Sequence, residues 1–273
     1  YEPRAGLQYV WTEGQEKSRV VTSKYEKKSF NLIGFDWDGL VTDTSYKWQT
    51  TTFRDEVPLL ESEVPATMAD YCLPALAEDF SGGDVVAWTD PANPYALHWK
   101  VVDEGTISRP SHWFVANKTL MQDSNIYGDA TTDHRKGTYL VYVDEARQAD
   151  QWRNYELSVD LVCTDNDGVG VMFRYIDSSN YYKLEMDYDR SFRKLFKVAD
   201  GVETVLWSDC TRYSLNQRFT VTVRVVEDRV QVLIDGVTQA DVTDSSPLPR
   251  GTVAMYCWGQ AGVKFDNIQV QPL

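Results

Sequence analysis

Three oxygen-bearing side chains stand together at one point of the chain, Asp165, Asn166 and Asp167, and Gly168 follows them. Carboxylate and amide oxygens are ligands that Ca²⁺ prefers, and the ion takes about six to eight of them. Other loops or water would have to supply the rest. The same residue types also form ordinary turns between strands without any metal. A calcium site and a plain turn are therefore both open here.

A face of aromatic and charged side chains is the second candidate for chemistry. It follows from strict alternation of apolar and polar residues in several segments, which places alternate side chains on opposite faces. Aromatic rings can stack on sugar rings while charged groups bind the hydroxyls, so this face suits a glycan, above all an acidic one. The same aromatic residues could instead be covered by residues 1–75. The predicted ligand-binding residues are Arg174, Tyr181, Lys183, Glu185, Arg224, Tyr256 and Trp258.

An enzymatic hypothesis uses the same face. A polysaccharide lyase acting by β-elimination on a uronate-containing glycan needs a base, an acid and a cation that neutralises the uronate carboxylate. Tyr181 or Tyr188, Lys183 and Arg174 have the side chains for these roles. The three histidines of the chain lack metal-ligand spacing.

Three strands must position these side chains. Residues 158–163, 169–175 and 181–187 alternate in polarity and are separated by turns rich in Asp, Asn, Gly and Ser. This pattern is typical of half-buried antiparallel strands. The residues predicted to face the core from the second strand are Val169, Val171, Phe173 and Tyr175.

Similar short segments continue to the end of the chain. Asp200-Gly201 and Asp235-Gly236 have the composition of hairpin turns. Many short strands at regular spacing indicate a β-sandwich or barrel.

Residues 1–75 differ from the rest. Short strands are predicted at residues 7–11, 19–22 and 30–35, and Val57-Pro58, Val64-Pro65 and Leu73-Pro74 then indicate an extended linker. The segment is small for a core of its own, so we expect it to pack on the sandwich or to associate with another copy.

Charge and cysteine content restrict the possible partners. The 27 Lys and Arg against 41 Asp and Glu give a net charge of −14, which disfavours binding to nucleic acid or anionic lipid. The four cysteines have no C-x-x-C spacing, so a zinc site is not expected and three disulfide pairings stay open. No apolar run is long enough to span a bilayer.

The order of motifs from residue 76 to 273 resembles the concanavalin A-like jelly rolls, in particular laminin G-like domains and the L-type-lectin-like C-terminal domain of thrombospondins. Each motif alone is common, but their combination is fairly specific for the fold. The segments that carry the resemblance are Glu78-Asp-Phe80, residues 99–105, 165–175, 180–183, 232–236, 251–256 and 263–268.

The resemblance implies a secreted or surface-displayed module, often with structural calcium, that binds carbohydrate or extracellular matrix. It also implies that the first and last strands lie side by side, which would bring Glu78 or Asp79 to Asp266 as a second metal site. Related jelly rolls include lyases and glycosidases, but the Glu-x-x-x-Glu strand of the latter is missing. A structural subunit of an extracellular filament is a third reading.

The predicted fold is therefore all-β. Residues 76–273 form a two-sheet antiparallel β-sandwich of the jelly-roll type, and residues 1–75 form a short β-rich N-terminal extension.

Overall fold

The computed structural model describes residues 4–13, 17–23, 46–54, 57–64, 75–128 and 135–273. The chain divides into two compact units, Tyr1–Leu73 and Pro74–Leu273. No helix in these ranges is long and apolar enough to cross a membrane.

The first unit contains one antiparallel sheet of four strands in the order β2-β1-β3-β4. β1 and β2 confirm the strands predicted at residues 7–11 and 19–22, whereas the strand predicted at 30–35 lies outside the described residues. The strands of this sheet are β1 (Arg4–Glu13), β2 (Lys17–Ser23), β3 (Tyr46–Arg54) and β4 (Val57–Val64).

β4 corrects the linker predicted for this region. Pro58 lies within the strand opposite Phe53, where the register shifts. Proline cannot donate to a neighbouring strand, but an edge strand has one side without a partner, and β4 is at the edge of its sheet. The proline therefore marks an edge strand here and not a break.

The second unit is all-β, apart from a 3₁₀ turn at Ala149–Gln151. Its strands are β5 (Leu76–Glu78), β6 (Trp99–Asp103), β7 (Trp113–Ala116), β8 (Thr119–Gln122), β9 (Thr138–Tyr142), β10 (Tyr155–Cys163), β11 (Gly168–Asp177), β12 (Asn180–Asp187), β13 (Phe192–Ala199), β14 (Val202–Asp209), β15 (Arg218–Val226), β16 (Arg229–Ile234), β17 (Val237–Thr243), β18 (Thr252–Trp258) and β19 (Val263–Pro272).

These strands form two antiparallel sheets. The eight-stranded sheet has the order β17-β16-β15-β10-β19-β8-β7, with β5 also paired to β19, and the seven-stranded sheet has the order β14-β13-β12-β11-β18-β9-β6. The predicted two-sheet antiparallel β-sandwich is confirmed.

The core lies between the two sheets, and strand alternation decides which residues enter it. β12 contributes Tyr182, Leu184 and Met186, and β10 contributes Leu157 and Val159, all of them buried. Burying one such large apolar side chain stabilises the fold by about 1.5–3 kcal/mol. The odd-numbered residues of β12 are left on the other face of its sheet.

A bulge at Arg174 reverses this alternation in β11. The register against β18 passes from Met172↔Ala254 to Tyr175↔Thr252, so β11 has one residue more than its neighbour, and Arg174 has a φ of 42°. The extra residue turns Tyr175 away from the inter-sheet core. Tyr175 packs instead with Tyr139 and Tyr181, which corrects the prediction that it faces the core.

Candidate functional site

The outer face of the seven-stranded sheet brings together five of the predicted ligand-binding residues. Tyr181, Lys183 and Glu185 come from β12, and Tyr256 and Trp258 come from β18. They share this face because their neighbours in sequence, such as Leu184 and Cys257, belong to the inter-sheet core. Strand β11 runs between the two groups.

Two glycines of β11 separate the charged side from the aromatic side. Gly170 lies opposite Glu185 on β12 and opposite Tyr256 on β18. Gly168 lies in the same way between Asp187 and Trp258. Each row across the sheet therefore reads carboxylate, glycine, aromatic ring, and we call this strip the glycine trough.

A side chain would be tightly placed at Gly168 and is excluded at Gly170. A Cβ on Gly168 would lie 3.2 Å from Oε1 of Glu185 and 3.2 Å from Cβ of Trp258. A Cβ on Gly170 would lie 1.8 Å from the Leu184 carbonyl oxygen. The close approach of the β12 backbone thus requires glycine at position 170 and favours it at position 168.

Charged groups of alternating sign line the trough. Lys183 Nζ lies 2.8 Å from Oε2 of Glu185, and Arg135 Nη1 lies 3.3 Å from Oε1 of the same carboxylate. Arg135 also pairs with Asp187 at 2.5 Å. Arg190 pairs with Asp187 at 3.1 Å. Buried charges are tolerated only when they are compensated in this way.

Arg190 extends the chain of charges to the acidic turn. Its Nη1 donates to Oδ1 of Asp167 over 2.8 Å, so the turn between β10 and β11 is connected to the trough. Burial raises the pKa of Asp167, although the hydrogen bond from Arg190 opposes that rise.

The aromatic rings of the trough are in contact with these cations. The Arg135 and Arg190 guanidinium carbons each lie 4.8 Å from the centre of the Trp258 ring. Lys183 Nζ lies 4.2 Å from the centre of the Tyr256 ring. The faces that a sugar would stack on are therefore engaged in cation–π contacts in this conformation.

Two buried polar atoms of the trough have no hydrogen-bond partner among the described residues, Nε1 of Trp258 and Oε2 of Glu185. Lys183 Nζ lies near that oxygen and compensates its charge, but without hydrogen-bond geometry. The indole N–H of Trp258 has no acceptor among the residues that the structure describes. An unpaired buried donor costs free energy, about 1–3 kcal/mol, so an acceptor from a ligand or water would be stabilising here.

Arg174, predicted for the ligand face, lies elsewhere. Its side chain is 2% exposed. The guanidinium donates to the carbonyl oxygens of Arg153 at 2.9 Å, Glu227 at 2.7 Å and Leu248 at 2.8 Å. The bulge redirects Arg174, whose guanidinium hydrogen-bonds to the backbone of three loops. The prediction that Arg174 contacts the ligand is therefore corrected.

Arg224 and Tyr188 are also away from the trough. Arg224 belongs to β15 of the eight-stranded sheet and pairs with Glu156 at 2.5 Å. Tyr188 follows β12, packs against the inter-sheet core and contacts the ring of Tyr213. The lyase residues predicted as one set, with Arg174 among them, are therefore not brought together.

The two tyrosines that do lie at the site keep their protons. Burial raises the pKa of Tyr181 well above its ordinary value and does the same for Tyr256. The Tyr256 hydroxyl donates to the Arg135 carbonyl oxygen over 2.6 Å. Such phenols are hydrogen-bond donors and unsuited to act as bases at neutral pH.

The acidic turn uses its oxygens within the fold. Asp165 accepts from the backbone N–H of Asn166 at 2.9 Å and of Ala261 at 2.8 Å, and Asp167 accepts from Arg190. Among the described residues, no group of three or more His, Cys, Asp or Glu could hold a metal ion. The calcium site at residues 165–167 stays a prediction.

The second predicted metal site is similar. β5 does pair with β19, with Glu78 opposite Ile268, so the first and last strands of the sandwich lie side by side as expected. Glu78 and Asp79 accept backbone hydrogen bonds from Phe80 and Ser81, and Asp266 accepts one from Asn267. A metal bound by Glu78 or Asp79 together with Asp266 likewise stays a prediction.

Sequence reasoning missed Arg135, Asp187 and the two glycines. The spacing Gly168-x-Gly170 inside a strand is a usable signal, because glycine at alternate positions of a strand marks a close backbone approach. Arg135 gives no such signal, since it lies in a loop whose path depends on the whole fold.

Residues 77–271 match the family model described as the 3-keto-alpha-glucoside-1,2-lyase-like domain. None of the curated proteins compared with the chain is significantly similar to it. Among solved structures, the carbohydrate-binding module CBM66 from Bacillus subtilis is 18% identical with a TM-score of 0.50, and the alignment covers 64% of this chain and 95% of that one. SCLam, a non-specific endo-beta-1,3(4)-glucanase from family GH16, is 14% identical with a TM-score of 0.50, covering 73% and 90%.

These similarities confirm the concanavalin A-like jelly roll predicted for residues 76–273. The fold is one that carbohydrate-binding and glycan-active proteins share. The narrower likeness to laminin G-like domains stays a prediction.

Proposed function

The chain belongs, through residues 77–271, to the family of 3-keto-alpha-glucoside-1,2-lyase-like domains, and on this basis we propose that it binds a carbohydrate in the glycine trough. The observation that carries the proposal is the trough itself, with carboxylates on one side and aromatic rings on the other. Few precisely placed polar groups beside apolar rings are typical of small-molecule sites.

A sugar hydroxyl matches the two unsatisfied atoms. Hydroxyls of a sugar can accept a hydrogen bond, as Nε1 of Trp258 requires, and can donate one, as Oε2 of Glu185 requires. An apolar ligand would leave both atoms unpaired. The polar character of the trough therefore supports a hydroxylated ligand.

An elimination reaction is a second candidate, favoured by the family match. In a glucoside with a ketone at C3, the ketone acidifies the C2 proton. A base removes that proton, the electrons form the C1–C2 double bond, and the bond from C1 to the leaving oxygen breaks as an acid protonates that oxygen. Glu185 is the candidate base and Lys183 the candidate acid.

Binding is the better supported of the two. Lys183, Arg135 and Arg190 are each matched to a carboxylate. A uronate-containing glycan, the substrate of the lyase hypothesis, would have to compete with Glu185 and Asp187 for these cations.

The experiment combines retention and product formation. Immobilised neutral, amino and uronate-containing glycans test binding, and incubation with a 3-keto-glucoside or a uronate polysaccharide tests elimination by ultraviolet absorbance of the unsaturated product. We expect retention without absorbance growth. Absorbance growth would replace binding with catalysis, and no retention on any glycan would contradict the proposal.

A matched pair of variants locates the site. Trp258→Phe removes the indole N–H and keeps an aromatic ring, and we expect retention to fall about tenfold, the equivalent of one hydrogen bond. Trp207→Phe is the control, because Trp207 lies on β14 of the same sheet but packs against the inter-sheet core.

Calcium binding, a secreted or cell-surface location, recognition of matrix protein and self-association through residues 1–75 are further proposals. They rest on the resemblance, on the acidic composition and on the described four-stranded sheet of the first unit, whose outer strands are β2 and β4.

A further inference from the structure

The side chain of Arg135 fills the glycine trough. Its guanidinium carbon lies 4.6 Å from the centre of the Phe192 ring and 4.8 Å from that of Trp258. The same group pairs with both Glu185 and Asp187. Its side chain keeps 11% exposure, whereas those of the two carboxylates have none.

Arg135 supplies one of the two cations that pair with each of the fully buried carboxylates, Glu185 and Asp187. If its side chain turned away, Glu185 would keep Lys183 at 2.8 Å, with Lys194 opposite it on β13, and Asp187 would keep Arg190 at 3.1 Å. A buried carboxylate without a compensating charge is strongly unfavourable. A ligand that displaces Arg135 therefore restores the pairing of both carboxylates only if it brings a positive charge of its own.

We propose that the guanidinium of Arg135 occupies the binding position of a ligand's cationic group, which we call the cation position. The trough then binds glycans that carry a free amine, such as glucosamine oligomers. This inference rests on the proposed carbohydrate binding and names its ligand class. An ammonium between two aromatic rings and two carboxylates gains cation–π and charge-assisted hydrogen bonds together. The neighbouring sugar hydroxyl meets the N–H of Trp258.

Only the Arg135 side chain has to move. The backbone at this position is held by the Tyr256 hydroxyl, which donates to the Arg135 carbonyl oxygen. In this proposal, rotation about the side-chain bonds opens the trough while that backbone contact is kept. A neutral or acidic sugar gains nothing from this opening, since it cannot replace the lost charge.

Rescue by guanidinium tests, without any glycan, whether a free cation binds at the cation position. In Arg135→Ala, about 10 mM guanidinium chloride should raise the thermal midpoint through binding to the native state, and equal urea, its neutral analogue, should not. The wild-type chain should show no such rise, because the Arg135 side chain already occupies the cation position. Equal responses to guanidinium in both proteins, or none in either, would overturn the proposal.

Calorimetric titration then tests the ligand class. We expect glucosamine oligomers to bind the wild-type chain at least about tenfold more tightly than N-acetylated oligomers, which lack the charge. Arg135→Ala should bind them about tenfold more tightly again, because no side chain must be displaced first. Glu185→Gln should lose this preference for the amine.

The outcomes separate the two proposals. Equal affinity for both oligomers, or binding of neutral glycans only, overturns the amine preference and leaves carbohydrate binding intact. No binding of any glycan to wild-type chain or variant overturns both. The wild-type comparison decides the question even if a variant fails to fold.

Discussion

The hydroxyl of Tyr182 donates to Oδ2 of Asp244 over 2.6 Å in the interior of the sandwich. The same hydroxyl accepts from the backbone N–H of Leu248 at 3.1 Å. Tyr182 belongs to β12 of the seven-stranded sheet, and Asp244 follows β17 of the eight-stranded sheet. One phenol thus joins the strand that carries Lys183 and Glu185 to the opposite sheet.

Replacing Tyr182 by phenylalanine should destabilise the fold. The change leaves a buried carboxylate and a buried N–H each short of a partner, and we expect a loss of about 1–3 kcal/mol in the free energy of unfolding. Unfolding in denaturant measures this free energy. Tyr127→Phe is the control variant, because it also removes a hydroxyl but at a half-buried site. Equal stability of the two variants would contradict this role.

The same pair predicts a pH dependence. Burial raises the pKa of Asp244. Hydrogen bonds from Lys197, Tyr182 and the Ser246 N–H lower it by more than burial raises it, so the net pKa lies below its ordinary value. The stability this group contributes is present above its unfolded pKa and is lost as the pH falls through its folded pKa. In Tyr182→Phe the folded pKa of Asp244 should lie closer to the unfolded value, so the stability lost on acidification should be smaller and the loss should be complete at a higher pH.

Arg174→Lys should reduce stability without changing ligand affinity. A lysine ammonium cannot reach the carbonyl oxygens of three separate loops, and the Leu248 carbonyl, whose bond to Arg174 is the buried one, costs about 1–3 kcal/mol if it is left unpaired. Arg224→Lys, at an exposed ion pair, should change stability by no more than about 0.5 kcal/mol. Loss of glycan retention in the folded Arg174 variant would restore this residue to the site.

His112 should titrate above the ordinary range of histidine. Burial lowers its pKa, but the Asp123 carboxylate at 2.7 Å and the Val86 carbonyl oxygen at 3.0 Å outweigh this and raise the net pKa. Its contribution to stability is present below the unfolded pKa and is lost as the pH rises through the folded pKa. Magnetic resonance titration should show a lower His112 pKa in Asp123→Asn, but not in Asp228→Asn, a matched exposed carboxylate.

For calcium, we expect chelation to lower the thermal midpoint, because a ligand that binds the native state stabilises it. The double change of Asp165 and Asp167 to alanine should remove much of that sensitivity, whereas Asp79→Ala should affect only the second predicted site. A midpoint that is constant over a wide range of free calcium would mean that neither site binds the ion with structural effect.

Removing residues 1–75 should leave a folded jelly roll. Among the described residues of the first unit, β2 and β4 are the outer strands of the four-stranded sheet, and outer strands are usually covered by pairing or by another chain. The shortened chain should therefore differ in oligomeric state or expose the aromatic face, which light scattering and limited proteolysis would detect. A monomeric full chain that loses this segment to protease without change in stability would contradict the assembly proposal.

The sequence by itself determined the two faces of the central strands. Alternation with period two is local, so Tyr181, Lys183 and Glu185 had to share a face once residues 180–187 formed a strand. Turn residues and apolar alternation likewise determined an antiparallel sandwich. These features depend only on neighbours in sequence.

Only the tertiary structure decided what else meets that face. The bulge that turns Arg174 and Tyr175 over depends on pairing with β18, and Arg224 is excluded because β15 pairs in the other sheet. Arg135 reaches Glu185 and Asp187 from fifty residues and more away in sequence. Strand partners and loop paths are set by contacts between distant segments, and these have no local signature.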